Sequence, residues 1–543
     1  MKYIVVTGGV ISGLGKGITT ASIGRILKDR GYNVVPMKID PYINIDAGTM
    51  NPFQHGEVYV LADGTEVDLD FGHYERFMDI ELGGEHNITT GVIFLSVINR
   101  ERNGEYLGQT VQIIPHVTNE IKLRIREVAA RSNADICIVE IGGTVGDIES
   151  MPFLEAVRQM RREEPRENFL LIHVTLVPLT KLGEQKTKPT QHSVKALREL
   201  GLQPDIIVCR CERALAEDVK EKIAMFCDVD KRDVISAPDT DEIYEVPVLL
   251  ENEGIFESIR DKMLLNKSEK RFYWENIVEK CRNLSGETEV AIVGKYAGLE
   301  DSYLSIKEAI KHAMMDLRCN VDIMWIEAED LETDEGAMRK LERADGVLVP
   351  GGFGTRGTEG KIRAIEFARV RGKPFLGICL GFQLAVVEVA RNLAGLKNAN
   401  STEFCDDTPH PVVDLLDEQR GIMKKGGTMR LGNGVVIIKE NTLAHRIYGK
   451  TEIVERHRHR YEVNPSYLDM LSDAGILFSG TDSDGNKMEI LELPNHPFFF
   501  ATQFHPEFRS RPDRPSPPFR AFISACMRRN IQCNTTQRSI EEV

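Results

Sequence analysis

The 543-residue sequence has no apolar run long enough to cross a bilayer, no internal repeat and no low-complexity segment. Its first residues, Met1-Lys-Tyr-Ile-Val-Val, enter a strand-like run directly, without the layout of a secretory leader. The expectation is a cytoplasmic protein with no membrane partner. Positive charge is in deficit: 68 Lys and Arg against 83 Asp and Glu give a formal net charge of −15. Such a surface repels a nucleic-acid backbone, so no polynucleotide partner is expected. A nucleotide needs only a local cluster of lysines and backbone N–H groups, and is not excluded. The ten cysteines lack regular spacing. Cys209 and Cys211 end the apolar run Asp205-Ile-Ile-Val, where period-two alternation puts both on one strand face. Small buried residues are the simplest reading there; a metal or redox role would need a second Cys/His pair, and none sits nearby. Scattered thiols suit a reducing compartment.

What is present is the alternation of an α/β protein, too long for one hydrophobic core. Tyr3 to Thr7, Asn33 to Ile39, Asp135 to Glu140 and Leu170 to Val177 are short, nearly continuous apolar runs, and Ile18 to Arg30 reads as a helix. That is the pattern of a phosphate-loop-like, doubly wound parallel sheet covered on both faces. A polar stretch, 266–287, reads as a linker, and a second βα series begins at Glu289-Val-Ala-Ile-Val-Gly. The expected domains are 1–265 and 288–530, with a polar tail over 531–543.

In the second series, Gly377-Ile-Cys379-Leu-Gly381 lies between the apolar run Pro374-Phe-Leu and a helix-like stretch from Phe382. This is a nucleophile elbow with cysteine in place of serine. The helix N-terminus aimed at the sulfur favours the thiolate. Gln503-Phe-His505-Pro-Glu507, at the end of the strand Phe498 to Phe504, supplies a base and an acid to orient it. The loop Val349-Pro-Gly351-Gly352-Phe-Gly354 is either a plain turn or a set of backbone N–H groups for an oxyanion.

In the first series, Thr7 to Gly17 lies between the first strand and first helix, where a phosphate loop belongs, with Lys16 placed to reach β- and γ-phosphates. The match to the phosphate-loop pattern is imperfect. Gly9 is one residue too far from Gly15, and Gly17 replaces the Mg²⁺-binding hydroxyl. The metal must then be held elsewhere, and Glu140, at a strand end, and Asp70 are placed for it. The alternatives are a capped loop for Glu140 and a solvated charge for Asp70. Lys186-Thr187-Lys188-Pro189-Thr190-Gln191 opens a helix and suits an anionic ligand, or is an exposed basic turn. Lys38 is a further candidate for a phosphoryl oxygen.

The motif around Cys379, His505 and Glu507 closely resembles the class I glutamine amidotransferases, a glutaminase fold that would cover Glu289 to about Arg528. Longer stretches resemble the CTP synthase family: Lys38-Ile-Asp-Pro-Tyr-Ile-Asn, Gly72-His-Tyr-Glu-Arg-Phe, Val139-Glu-Ile-Gly-Gly-Thr-Val-Gly-Asp-Ile-Glu, Lys186 to Ser193, Ser401-Thr-Glu-Phe and Gly426-Gly-Thr-Met-Arg430-Leu-Gly. The resemblance implies ATP on Gly13, Leu14, Gly15, Lys16, Gly17 and Ile18, with Mg²⁺ on Asp70 and Glu140. It implies UTP, or CTP, on Ser12, Asp147, Ile148, Glu149, Lys186 to Gln191 and Lys222. Glutamine would be held by Gly352, Leu380, Gly381, Phe382, Gln383, Glu403 and Arg460. Of these, Gly352 and the Leu380 backbone would form the oxyanion hole. Pro52, His55 and Val58 match positions along an ammonia route, and Arg430 a GTP contact. The family is also stimulated by GTP, inhibited by CTP and assembled as tetramers, dimers of dimers. Two other readings compete: another ATP-dependent amidotransferase of the cobyric acid synthase kind, and a nucleotide-binding filament protein.

Overall fold

The computed structural model describes residues 1–50, 56–266, 272–295, 298, 300–415 and 429–541, without side chains at 300 and 531–541. The chain divides into two compact units, Met1–Ala47 with Asp70–Glu279, and Gly48–Leu69 with Lys280–Val543. A segment of the first half of the sequence therefore belongs to the second unit.

The first unit is built on a seven-stranded sheet: β1 (Lys2–Gly8), β2 (Val34–Asp40), β3 (Asn87–Thr89), β4 (Ile136–Ile141), β5 (Phe169–Leu176), β6 (Ile206–Cys211) and β7 (Val234–Pro238). Every pairing is parallel, in the order β3-β2-β4-β1-β5-β6-β7. The strands are buried on both faces, which is why they read as continuous apolar runs. Helix α1 (Lys16–Asp29) leaves the end of β1 through the glycine loop. Helix α2 (Asp70–Met78) packs on α1, and α3 (Lys188–Glu199) on β5. Cys209 and Cys211 share a buried cluster with Ile207, Ile223 and Cys227, as small core residues.

In the stretch read as a linker, residues 267–271 lie outside the described residues. Trp274 is core of the first unit: it stacks on Phe77 at 5.5 Å and its indole N–H donates to the Tyr244 carbonyl at 2.8 Å. A helix, Glu275–Arg282, follows, and Gly286 already starts the next strand.

The second unit carries a nine-stranded sheet with a parallel half and an antiparallel half. Its strands are β8 (Gly286–Gly294), β9 (Cys319–Glu327), β10 (Gly346–Val349), β11 (Phe375–Ile378), β12 (Arg430–Ile438), β13 (Glu452–His459), β14 (Leu477–Asp482), β15 (Met488–Glu492) and β16 (Phe499–Thr502). The order is β9-β8-β10-β11-β16-β15-β14-β12-β13. Helices α4 (Thr358–Val370), α5 (Leu380–Asn392) and α6 (Pro517–Glu541) cover it. Helix α6 continues through the residues read as a polar tail. The segment from the first half adds a short hairpin, Tyr59–Val60 with Glu66–Val67. Its Glu66 pairs with Arg458 of β13 at 2.8 Å, and Tyr59 donates to the Phe508 carbonyl at 2.9 Å.

The charged run Arg456 to Arg460 is buried or half-buried along its length. His457 and His459 are buried, facing the acids Glu489 and Glu462 and the guanidinium of Arg430, while buried Arg456, on the opposite face, donates to the Tyr59 hydroxyl at 3.1 Å and the Val60 carbonyl at 3.0 Å. With a charged or polar residue at every position, the run itself does not say which side is covered.

Candidate active sites

In the first unit the carboxyl ends of β1, β2 and β4 lie side by side. Register puts Lys38 beside Glu140, and Glu140 beside Val6. Val10, Gly13 and Gly15 hold the loop open with φ of 81°, 70° and 83°, a region natural for glycine and strained for valine. Lys16 is buried, and its ammonium donates to the Gly143 carbonyl at 2.8 Å. The loop after β4 is tied to the glycine loop by a Val145 N–H to Gly8 carbonyl bond of 2.8 Å.

The structure explains why Gly17 stands where a phosphate loop usually has a hydroxyl. A Cβ at Gly17 would lie 2.0 Å from Oδ1 of Asp70, so the carboxylate occupies that space. Asp70 is thus no solvated charge; it opens α2 and is ion-paired to Lys38. Burial pushes its carboxyl up, but Lys38 and His73 outweigh this and hold it below the ordinary carboxylate range. Glu140 is buried and accepts from the Tyr74 hydroxyl. Burial, then the negative charge of Asp70, raises it to about 7. Two carboxylates brought this close, beside a phosphate loop, fit Mg²⁺, which uses one or two protein carboxylates and completes its shell with phosphate oxygens and water.

The other nucleotide candidates surround this loop unevenly. Asp147 accepts the Thr144 N–H at 3.0 Å, while Ile148 and Glu149 are exposed, as is Ser12. Lys186 pairs with Glu184 at 2.6 Å, Pro189 sits in the first turn of α3, and Lys188 lies over the Phe226 ring. Gln191 donates to Thr187 at 2.9 Å, and Thr190 to the Leu176 carbonyl at 3.1 Å. Lys222 is exposed on the helix Glu217–Cys227, which packs on α3. One residue the sequence reading passed over joins α3 to the loop. His173, buried on β5, touches Thr7 at 3.0 Å and Ser193 at 2.7 Å, and burial followed by the charge of Lys16 pulls it down to about 3. A histidine inside an apolar run was its only sequence signal.

In the second unit three adjacent parallel strands, β10, β11 and β16, end together and deliver the glycine loop, Cys379 and His505. Cys379 has φ 53° and ψ −99°, the strained conformation of an elbow. The flanking glycines are steric necessities: a Cβ at Gly381 would lie 2.1 Å from the Val349 carbonyl, and one at Gly377 2.9 Å from Gly381. Helix α5 begins at Leu380, whose N–H, in the first turn, has no intrahelical acceptor. The sulfur lies 3.7 Å from the Arg458 carbonyl and 3.8 Å from Nε2 of Gln503. His505 contacts Glu507 at 2.7 Å through Nδ1, which leaves Nε2 as the nitrogen for the sulfur. Burial disfavours the imidazolium, but Glu507 and Cys379 outweigh it and raise His505 to about 10.

A cavity of about 420 Å³ opens on this centre, lined by Gly352, Phe353, Cys379, Arg460 and His505 among others. Val58 lines it too; Pro52 and His55, like 426–428 of the glycine motif, lie outside the described residues. Not every glutamine-site candidate faces the cavity. Phe382 is buried in the core, and the Gln383 amide donates to the Tyr461 carbonyl at 3.0 Å and to Gln503 at 3.3 Å, so both form the wall behind it. Glu403 accepts the Gly354 N–H at 2.7 Å and is raised by burial. Lys295, unnoticed in the sequence, donates to the Phe353 and Gly354 carbonyls and fixes the same loop. Arg430, read as a GTP contact, pairs with Glu489 at 2.6 Å and with Glu462 at 3.1 Å.

Comparison with known proteins bears on both units. The description "CTP synthase N-terminus" matches residues 2–265 and "Glutamine amidotransferase class-I" matches residues 299–525. The CTP synthase of Archaeoglobus fulgidus is 63% identical over 97% of this chain and 99% of its own. That of Methanosarcina acetivorans is 62% identical over 98% and 99%. Among solved structures, the glutaminase domain of Trypanosoma brucei CTPS with bound acivicin is 39% identical over 44% of this chain and 93% of its own, with a TM-score of 0.42. With both halves matched in order and the identity sustained almost from end to end, the chain belongs to the CTP synthase family of glutamine-hydrolysing ligases.

Proposed function

We propose that this chain aminates UTP to CTP at the expense of ATP, with the nitrogen chemistry in the second unit and the phosphoryl chemistry in the first. The observation that carries the reading is the elbow cysteine facing a His505–Glu507 pair 2.7 Å long at the floor of a cavity. The thiolate adds to the side-chain carbonyl of glutamine and the C=O electron pair moves to oxygen, opposite the N–H groups of Gly352 and Leu380. As the intermediate collapses, the C–N bond breaks and the His505 imidazolium gives its proton to the leaving nitrogen. Water, deprotonated by His505, then hydrolyses the thioester to glutamate. Arg460 and Glu403 are assigned to the carboxylate and amine of glutamine.

In the first unit the N–H groups of Gly13 to Ile18 cradle the ATP phosphates, with Lys16 and Lys38 on the transferring group. Mg²⁺, held by Asp70 and Glu140, would neutralise charge on the phosphate oxygens. Oxygen 4 of UTP attacks the γ-phosphorus and ADP departs. Ammonia adds at carbon 4, and phosphate leaves in place of a poor leaving oxygen. Ser12, Asp147 to Glu149, Lys186 to Gln191 and Lys222 are assigned to UTP, and to CTP as inhibitor. GTP is assigned as an activator of glutamine hydrolysis and the assembly as a homotetramer; gel filtration with and without ATP and UTP checks the latter.

The test follows uracil-to-cytosine absorbance with UTP, ATP and glutamine, each omitted in turn. Omission of any one is expected to abolish the signal, and ammonium is expected to replace glutamine alone. In Cys379→Ala the glutamine-dependent rate falls by about 10³-fold or more while the ammonium-dependent rate persists. Glutamine-dependent synthesis in that variant would refute the assignment of the nucleophile.

A further inference from the structure

Helix α4 presents Thr358, Lys361, Ile362, Ile365 and Ala368 on its buried side. Lys361 thus occupies an apolar-stripe position, in the first turn of the helix, fully shielded from solvent. Its ammonium has no hydrogen-bond partner among the described residues. Burying an amine without a partner is costly, and the positive end of a helix adds repulsion. Nothing in the packing of α4 requires the group. It lies directly beneath the oxyanion loop, where a Cβ on Gly352 would meet Nζ at 3.7 Å and Leu380 Cδ2 at 3.6 Å.

We propose that Lys361 is a positioning residue for glutamine hydrolysis, a buried cation behind Gly352 that opposes the negative charge gathering on sulfur and then on the tetrahedral oxygen. The inference rests on the assignment of Cys379 as nucleophile. Four groups act on the amine. Lys295, at the end of β8, opposes its charge; Cys379 at the elbow, Glu403, and Glu327 at the end of β9 favour it. Burial, with Lys295, pulls it down to about 7. The amine therefore sits near its midpoint at neutral pH, where a nearby negative charge readily draws the proton on. Lys295 is already engaged by two loop carbonyls and sets the loop's shape; Lys361 touches no atom of the loop through a hydrogen bond and acts through its charge.

The test compares Lys361→Met and Lys361→Arg with the unaltered chain and with Cys379→Ala, measuring ammonia release from glutamine across pH 6 to 9 and relating each rate to the melting temperature of the same preparation. Lys361→Met is expected to lower kcat by about tenfold or more, as loss of one oxyanion-directed charge does. Its KM for glutamine should stay within about twofold, and the inflection expected near neutral pH for the unaltered chain should be absent. Lys361→Arg, permanently charged, should recover part of kcat with a flat profile. Methionine removes a buried amine, so its melting temperature should not fall; if it does, Lys361→Leu replaces it in the comparison. If Cys379→Ala still hydrolyses glutamine, the nucleophile assignment fails. If Cys379→Ala is inactive while Lys361→Met keeps full kcat and the unaltered pH profile, this inference alone is overturned.

Discussion

At the scale of the residue, the two sites use burial in opposite ways. Around Cys379, burial concentrates the pull of Glu507 and the sulfur on His505, which stays an imidazolium to about 10. The folded-state value lies above the ordinary 6.5. The ion pair therefore stabilises the fold fully below about pH 6.5, and that contribution is lost as pH rises through about 10. The His505 limb of the glutamine-hydrolysis profile should accordingly lie on the alkaline side, toward about 10 and above the neutral inflection assigned to Lys361. Glu507→Gln should move that alkaline limb to lower pH, measured as kcat against pH, and should lower the melting temperature less at pH 10 than at pH 7. Around Glu140, burial instead keeps a carboxyl close to neutral until a cation arrives. Cys379 and Glu140 could be singled out from sequence because each ends an apolar run beside glycines, and His505 because it ends one two residues before an acid; Asp70 stood out only by its place in Asp68-Leu-Asp-Phe-Gly-His. Lys361 and His173 could not, because a polar residue inside an apolar pattern does not say what it faces.

At the scale of the element, glycines decide where catalytic groups stand. Gly17 and Gly381 have no room for a methyl group, one against a side-chain carboxylate and the other against a backbone carbonyl. Gly17→Ala should push Asp70 aside and cut ammonium-dependent CTP formation by about 10²-fold, with little loss of thermal stability. Gly381→Ala should displace the elbow, costing about 1–3 kcal/mol of stability and most of the glutaminase rate. On the inner face of β12, β13 and β15 charge, not glycine, sets the arrangement. Arg430 compensates Glu462 and Glu489, both raised, with burial the first cause. Arg430→Met should lower stability by about 3–5 kcal/mol, read from denaturant unfolding. The departure of the phosphate-loop pattern at Gly17 was visible in the sequence; that Asp70 fills the vacated space was not, since the two are 53 positions apart.

Across the whole molecule, the lesions should sort by nitrogen source: Gly17→Ala fails with glutamine and with ammonium, Cys379→Ala with glutamine only. Initial rates of CTP formation with each nitrogen donor check this. The two α/β series, the glycine loops and the residues at strand ends were all legible in the order of amino acids, because periodicity, turn chemistry and the dipole at a helix start are local properties. Folding in three dimensions was needed to assign Gly48–Leu69 to the second unit, to cover the charged run from Arg456 to Arg460, and to set Lys361 behind the oxyanion loop. Each of these turns on contacts between residues far apart in the chain, and the cost of burying a charge is fixed by the groups that surround it rather than by its sequence neighbours.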